Sequence, residues 1–92
     1  MSRLLVEVPH EPGALECIRA IEIFLRTGSH FLSRADWGCL DGDHRAWMIV
    51  DVDTKEEARA IVPPAYRADA RIVSLNNWTM AQVAELRTRH SA

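Results

Sequence analysis

The chain lacks most of the features that announce a function class. Its 92 residues include two cysteines, Cys17 and Cys39, and no tight Cys-x2-Cys pair. No apolar run approaches the ~18 residues of a transmembrane helix, and no signal-peptide pattern precedes the first strand. The expectation is a cytoplasmic protein with reduced thiols and no membrane partner. Neither sign of charge dominates: 11 basic residues stand against 13 acidic ones, for a net charge of −2. The basic residues are nearly all arginine and are scattered, which argues against a nucleic-acid partner. A glycine-rich phosphate loop, a Ser-His-Asp order and a dinucleotide fingerprint are all missing. There is no repeat, low-complexity tract or linker, so residues 1–92 read as one domain. A chain of this length buries roughly 60–65% of its unfolded surface, enough for a single modest core.

What is present alternates between strand and helix patterns. Residues 4–8 (Leu-Leu-Val-Glu-Val) form an apolar run stopped by Pro9 and read as a first strand. Residues 14–27 read as a helix with Ala14, Ile18, Ile21 and Leu25 inward and Cys17 at the flank of that stripe. Gly28 is placed to end it. Residues 30–40 alternate weakly and predict a second strand, and Asp41-Gly42-Asp43 is a turn signal. Residues 45–52 predict the third strand. Thr54 and Glu57 have capping-box spacing and open a second helix, with Ala58, Ile61 and Val62 inward, stopped by Pro63-Pro64. Residues 71–75 predict a fourth strand. Thr79 and Gln82 repeat the capping box and open a last helix, with Met80, Val83 and Leu86 inward and fraying expected past Arg87.

The order β-α-β-β-α-β-α predicts an α+β fold, the ferredoxin-like split β-α-β: a four-stranded antiparallel sheet with two helices on one face, plus a C-terminal helix. The expected sheet order is 4-1-3-2. The first and third strands would be central, which suits runs without clean alternation. Two helices cover one face of such a sheet. The other would carry Leu4 or Leu5 and Trp47 or Met48, too apolar a surface to leave in water. A homodimer packed sheet to sheet, a dimeric α+β barrel, is the expectation. The last helix would either fold back on its own sheet or reach across to the partner.

Three segments carry a resemblance: Val-Glu-Val-Pro-His at 6–10, Gly-Cys-Leu-Asp-Gly-Asp-His at 38–44 and Ile-Val-Pro-Pro at 61–64. On these the chain resembles small, uncharacterised bacterial proteins of the ferredoxin-like, dimeric α+β-barrel superfamily. The resemblance implies the fold and the dimer. It implies no single activity, because that superfamily hosts isomerases, cofactor-free oxygenases, haem enzymes, metal-binding proteins and plain ligand binders.

Two constellations carry possible chemistry. The expected topology brings His10, Cys17, Cys39 and His44 toward one end of the sheet, with Asp41 and Asp43 nearby. Two thiolates and two imidazoles suit Zn²⁺, or Ni²⁺ or Cu if the geometry differs. Against this stands the ordinary reading, in which Cys17 is a helix-flank core residue, Cys39 a buried strand residue, and the two histidines exposed loop residues. The second constellation lies on the sheet. Alternation groups Glu7 with Leu5, and Trp47 with Ile49 and Asp51; the fourth strand offers Ser74 and Asn76. Glu7 on a mostly apolar surface beside Trp47 would be a desolvated general acid or base, with His30, Arg34 or Asp36 as partner or substrate anchor. Trp47 could stack a flat cofactor, although aromatics beside a hairpin more often pack in a core or interface. Otherwise Glu7 pairs with an arginine such as Arg34 or Arg71. Three functions follow: a metal- or small-ligand-binding homodimer, a cofactor-independent isomerase, lyase or oxygenase, and an interaction domain without catalysis.

Overall fold

The computed structural model describes residues 2–91, which form an antiparallel four-stranded open sheet with helices. Strand β1 spans Ser2–Pro9 and helix α1 Ala14–Arg26. A short helix α2 (His30–Ser33) and a two-residue strand β2 (Asp36–Trp37) follow. A 3-10 turn at Cys39–Asp41 leads into β3 (Arg45–Val52). Then come α3 (Lys55–Ile61), α4 (Pro64–Arg67), β4 (Arg71–Ser74) and α5 (Met80–His90). The strand order is β2-β3-β1-β4. β1 pairs with β3 along its whole length, Ser2 opposite Val52 and Pro9 opposite Arg45.

The apolar runs of β1 and β3 sort by pleat. Leu4, Val6, Val8, Ala46, Met48 and Val50 point to one face and are buried. With Ile72 of β4 they meet Phe24, Leu32, Ala58 and Val62 from the helical side. The opposite face is mixed: Leu5, Trp47, Ile49 and Val73 share it with Glu7, Arg45, Asp51 and Arg71. Ser74 pairs with Leu4, so it does not join Glu7 and Trp47 on that open face.

The expected strand over residues 30–40 is replaced by a helix, a two-residue strand and a 3-10 turn. Local hydrogen bonds decide this. The Leu32 amide donates to Ser29 Oγ at 3.4 Å, and Ser33 Oγ donates to the His30 carbonyl at 3.1 Å. Such side-chain bonds offer the backbone an alternative to a sheet ladder. The short helix drops Leu32 into the core.

Helix α1 is rotated from its expected setting. Ala20 and Phe24 are its buried residues, and Phe24 packs its ring edge-on against Trp37 at 4.9 Å. Ile18 and Leu25 are 58% and 56% exposed, so the expected inward stripe faces largely outward.

Capping sets the later elements. Thr54 Oγ1 accepts from the Glu57 amide at 3.1 Å to start α3. Val62 leaves the helix in extended conformation before Pro63, and Pro64 opens α4. Arg67 then donates to the Val62 and Ala60 carbonyls at 3.0 and 3.1 Å, satisfying acceptors at the end of α3. The Thr79–Gln82 capping box is complete, with bonds of 2.8 and 3.1 Å. From it α5 runs to His90, past the expected fraying point at Arg87. Met80, Val83 and Leu86 do not point into a core: no residue of α5 is buried, and Met80 is 82% exposed. The helix projects from the body, and with it the described chain measures 54 × 27 × 20 Å with a radius of gyration of 16.6 Å. A compact chain of this length would have a radius of about 12 Å.

Candidate metal centre

Three residues from two separate segments converge where β1 ends and β3 begins. The His10 amide donates to the His44 carbonyl at 3.0 Å, extending the β1–β3 ladder beyond Pro9. This sets the two imidazoles edge to face, their centroids 5.6 Å apart. Cys39 arrives from the 3-10 turn. The turn is held by amides of Asp41 and Asp43 donating to the Gly38 carbonyl at 3.0 and 2.9 Å. Gly42 closes it with φ 81°, a conformation that glycine adopts without strain. Gly38 is also required: a Cβ there would lie 2.7 Å from the Asp43 carbonyl oxygen and 2.8 Å from the Trp47 ring.

The ligand atoms of His10, Cys39 and His44 all lie within 4.8 Å of one another. His10 Nδ1 sits 2.8 Å from the Glu11 carbonyl oxygen. A carbonyl only accepts, so Nδ1 carries the proton and Nε2 bears the lone pair. Nε2 lies 3.1 Å from Cys39 Sγ, where it accepts a hydrogen bond from the thiol. An imidazole oriented through its far nitrogen by a backbone carbonyl is the usual arrangement of a metal-ligating histidine. His44 Nδ1 is buried and has no hydrogen-bond partner among the described residues. A buried nitrogen left in that state is costly, and a cation would satisfy it.

Cys17 comes from α1 and, with Cys39, lines a groove between that helix and the turn. It lies outside the group of three. Burial pushes the Cys39 thiol up from 9.0 to about 11; the neighbouring Cys17 thiol and the Asp43 carboxylate add to the rise. Asp43 itself pairs with Arg45 at 3.4 Å. Soft thiolate and borderline imidazole donors fit Zn²⁺, with Ni²⁺ and Cu as the neighbouring choices, and do not suit Mg²⁺ or Ca²⁺.

The second constellation also assembles, in part. His30, Arg34, Asp36 and Trp47 line a cleft of about 500 Å³ on the open sheet face. Glu7 does not line it. Glu7 Oε1 accepts from Trp47 Nε1 at 3.0 Å and lies 3.8 Å from Arg45. Its arginine partner is thus Arg45, two residues before Trp47 and on the same face of β3, and not Arg34 or Arg71.

Several residues at the first site escape sequence reading. Ile18 and Ile21 look like core positions, and Trp37 like a core or interface aromatic, yet all three line the groove at Cys39. Leu40 carried a legible signal, a leucine next to the polar run Asp41-Gly42-Asp43-His44, and it is fully exposed.

Comparison of the chain with family models, with curated proteins and with solved structures returns no match. Among the described residues no helix is long and apolar enough to cross a membrane.

Proposed function

We propose that this chain is a small ferredoxin-like protein that binds a divalent d-block cation, Zn²⁺ above all, through His10, Cys39 and His44. The convergence of three ligand atoms within 4.8 Å carries the reading. The unpartnered Nδ1 of His44 and the carbonyl-oriented His10 support it. Cys17 stands beside the group as a further thiol. The strand order β2-β3-β1-β4 supports the split β-α-β assignment. A homodimer through the open sheet face belongs to the same proposal, as does a reducing, cytoplasmic location in which the thiols stay free. Exposed Ile49 and the unpacked α5 are its support.

The test is metal content together with thermal stability, on protein purified without a metal-affinity tag. Zn²⁺ at a hundredfold excess over its Kd adds about 2.7 kcal/mol, which in a domain of this size raises Tm by about 10–20 °C. A chelator should reverse the shift. His44→Ala should abolish it, because loss of a ligand costs more than the about 10–100-fold in affinity lost with an outer hydrogen-bond partner. A wild-type Tm indifferent to Zn²⁺, Ni²⁺ and Cu²⁺ would sink the reading.

The cleft that gathers His30, Arg34, Asp36 and Trp47 favours a second reading. In it the protein is a cofactor-independent isomerase, lyase or oxygenase acting on a small apolar substrate, with Glu7 as acid or base behind Trp47, which lines the cleft and donates to Glu7 at 3.0 Å. Two variants separate the readings: Glu7→Gln spares metal binding and His44→Ala spares the cleft. A protein indifferent to both substitutions would be an interaction domain.

A further inference from the structure

The groove beside the proposed cation site has the lining of a ligand pocket. It measures about 680 Å³ and is walled by Ala14, Ile18, Ile21, Trp37 and Leu40. Cys17, Cys39 and His44 bring polar side-chain atoms to its lining. Small-molecule sites have this size and this balance, a largely apolar wall with a few convergent polar groups. The wall is also oddly exposed for its chemistry. Ile18 is 58% accessible and Leu40 wholly so. The exposure of Ile18 follows from the setting of α1, which turns Phe24 into the core and leaves Ile18 beside the turn.

The ligand count completes the case. His10, Cys39 and His44 make a set of three, and a divalent zinc-type ion takes four donors. Sites with three protein donors keep the fourth position for water or substrate. Two of the three donors, Cys39 and His44, lie in the groove wall, so the groove borders the ion. One thiolate and two neutral imidazoles on a dication leave a net charge of +1, which favours an anionic fourth donor.

We propose that, given the metal reading above, the fourth coordination position opens into this groove and takes a small amphiphile: an anionic, metal-coordinating head such as a carboxylate, hydroxamate or thiolate on an unbranched apolar body. The head completes the coordination and displaces bound water. The body lies along Ile18, Ile21, Trp37 and Leu40.

The experiment uses the whole chain loaded with Co²⁺, whose visible bands report coordination directly, and two probes, acetohydroxamate and hexanohydroxamate. Both should shift the Co²⁺ bands. The hexanoyl compound should bind at least about tenfold more tightly, a fraction of what four added methylenes gain when fully buried. Leu40→Ser and Ile18→Asp, both at accessible positions, should each reduce that ratio toward one, with Co²⁺ content measured in every sample. Equal affinity for the two probes overturns the proposal, as do bands that neither probe moves. Loss of about half the thiolate-to-cobalt charge-transfer intensity in Cys17→Ala also overturns it, because Cys17 would then be the fourth ligand and the site closed. A dimer that Leu40→Ser dissociates overturns it too, because the groove would then be filled by a second copy. Failure of Co²⁺ and Zn²⁺ to load at all is a different result and defeats the metal reading itself.

Discussion

Cys39 holds its proton to about pH 11 because burial and the adjacent Cys17 and Asp43 groups all disfavour a thiolate there. A bound cation must displace that proton, so metal affinity is coupled to pH. Affinity for Zn²⁺ should rise by about tenfold per pH unit between pH 7 and 9 for each proton displaced, after correction for metal hydrolysis and histidine titration. Competition titration against a chelator of known affinity measures the slope. A flat profile would mean that Cys39 is not a ligand. The metal-free chain has the opposite dependence. Between pH 9.0 and about 11 the unfolded chain loses the Cys39 proton and the folded one keeps it, so this contribution to stability is intact below pH 9 and fades as pH rises through about 11.

At the scale of elements, α1 decides what the site looks like. Its apolar residues occupy more than one face, and periodicity alone selects Ala14, Ile18, Ile21 and Leu25. The folded helix instead buries Ala20 and Phe24, because the Phe24 ring finds Trp37 at 4.9 Å and Tyr66 at 6.1 Å. Two substitutions test the rotation by urea denaturation. Phe24→Ala should cost about 3–5 kcal/mol, as for a fully buried aromatic. Leu25→Ala should stay within about 0.5 kcal/mol, as for a surface position. A large loss at Leu25 would restore the setting read from sequence and close the groove. The short helix α2 makes the same point from the other side. Residues 30–40 alternate like a strand, and serine hydrogen bonds at its two ends outweigh that pattern.

At the scale of the molecule, the fold is built with its site and its projecting helix at opposite ends. His10 and His44 sit where β1 ends. The chain enters α5 from the other end, where the Leu75 amide donates to the Arg3 carbonyl at 3.0 Å and Arg3 reaches Asn77 at 3.3 Å. An 11-residue helix without a packed face is marginal in water, so α5 needs a surface that its own chain does not supply. The proposed homodimer supplies one. Ile49→Glu, on the open sheet face, should convert that dimer to a folded monomer in sedimentation. A wild-type chain that is monomeric at all concentrations would remove the dimer and leave the metal reading untouched.

The sequence by itself determined the α+β class, the antiparallel four-stranded sheet, the caps at Thr54 and Thr79, and the turn around Gly42. Each of these rests on local physics: side-chain alternation, a side-chain oxygen within reach of an orphan amide, a glycine free to take positive φ. It also nominated His10, Cys17, Cys39 and His44 together, since their positions at a strand end, in the helix that follows it and in one turn follow from topology. Only the tertiary structure decided which helix face turns inward, that Glu7 bonds Trp47 and faces Arg45, and that Cys17 neighbours Cys39 without joining the group of three. Those outcomes depend on contacts between segments distant in the chain, such as Phe24 with Trp37 and Glu7 with Trp47. The exposed walls of the groove are of the same kind. They follow from where α1 settles against the turn, and no periodicity within α1 encodes that position.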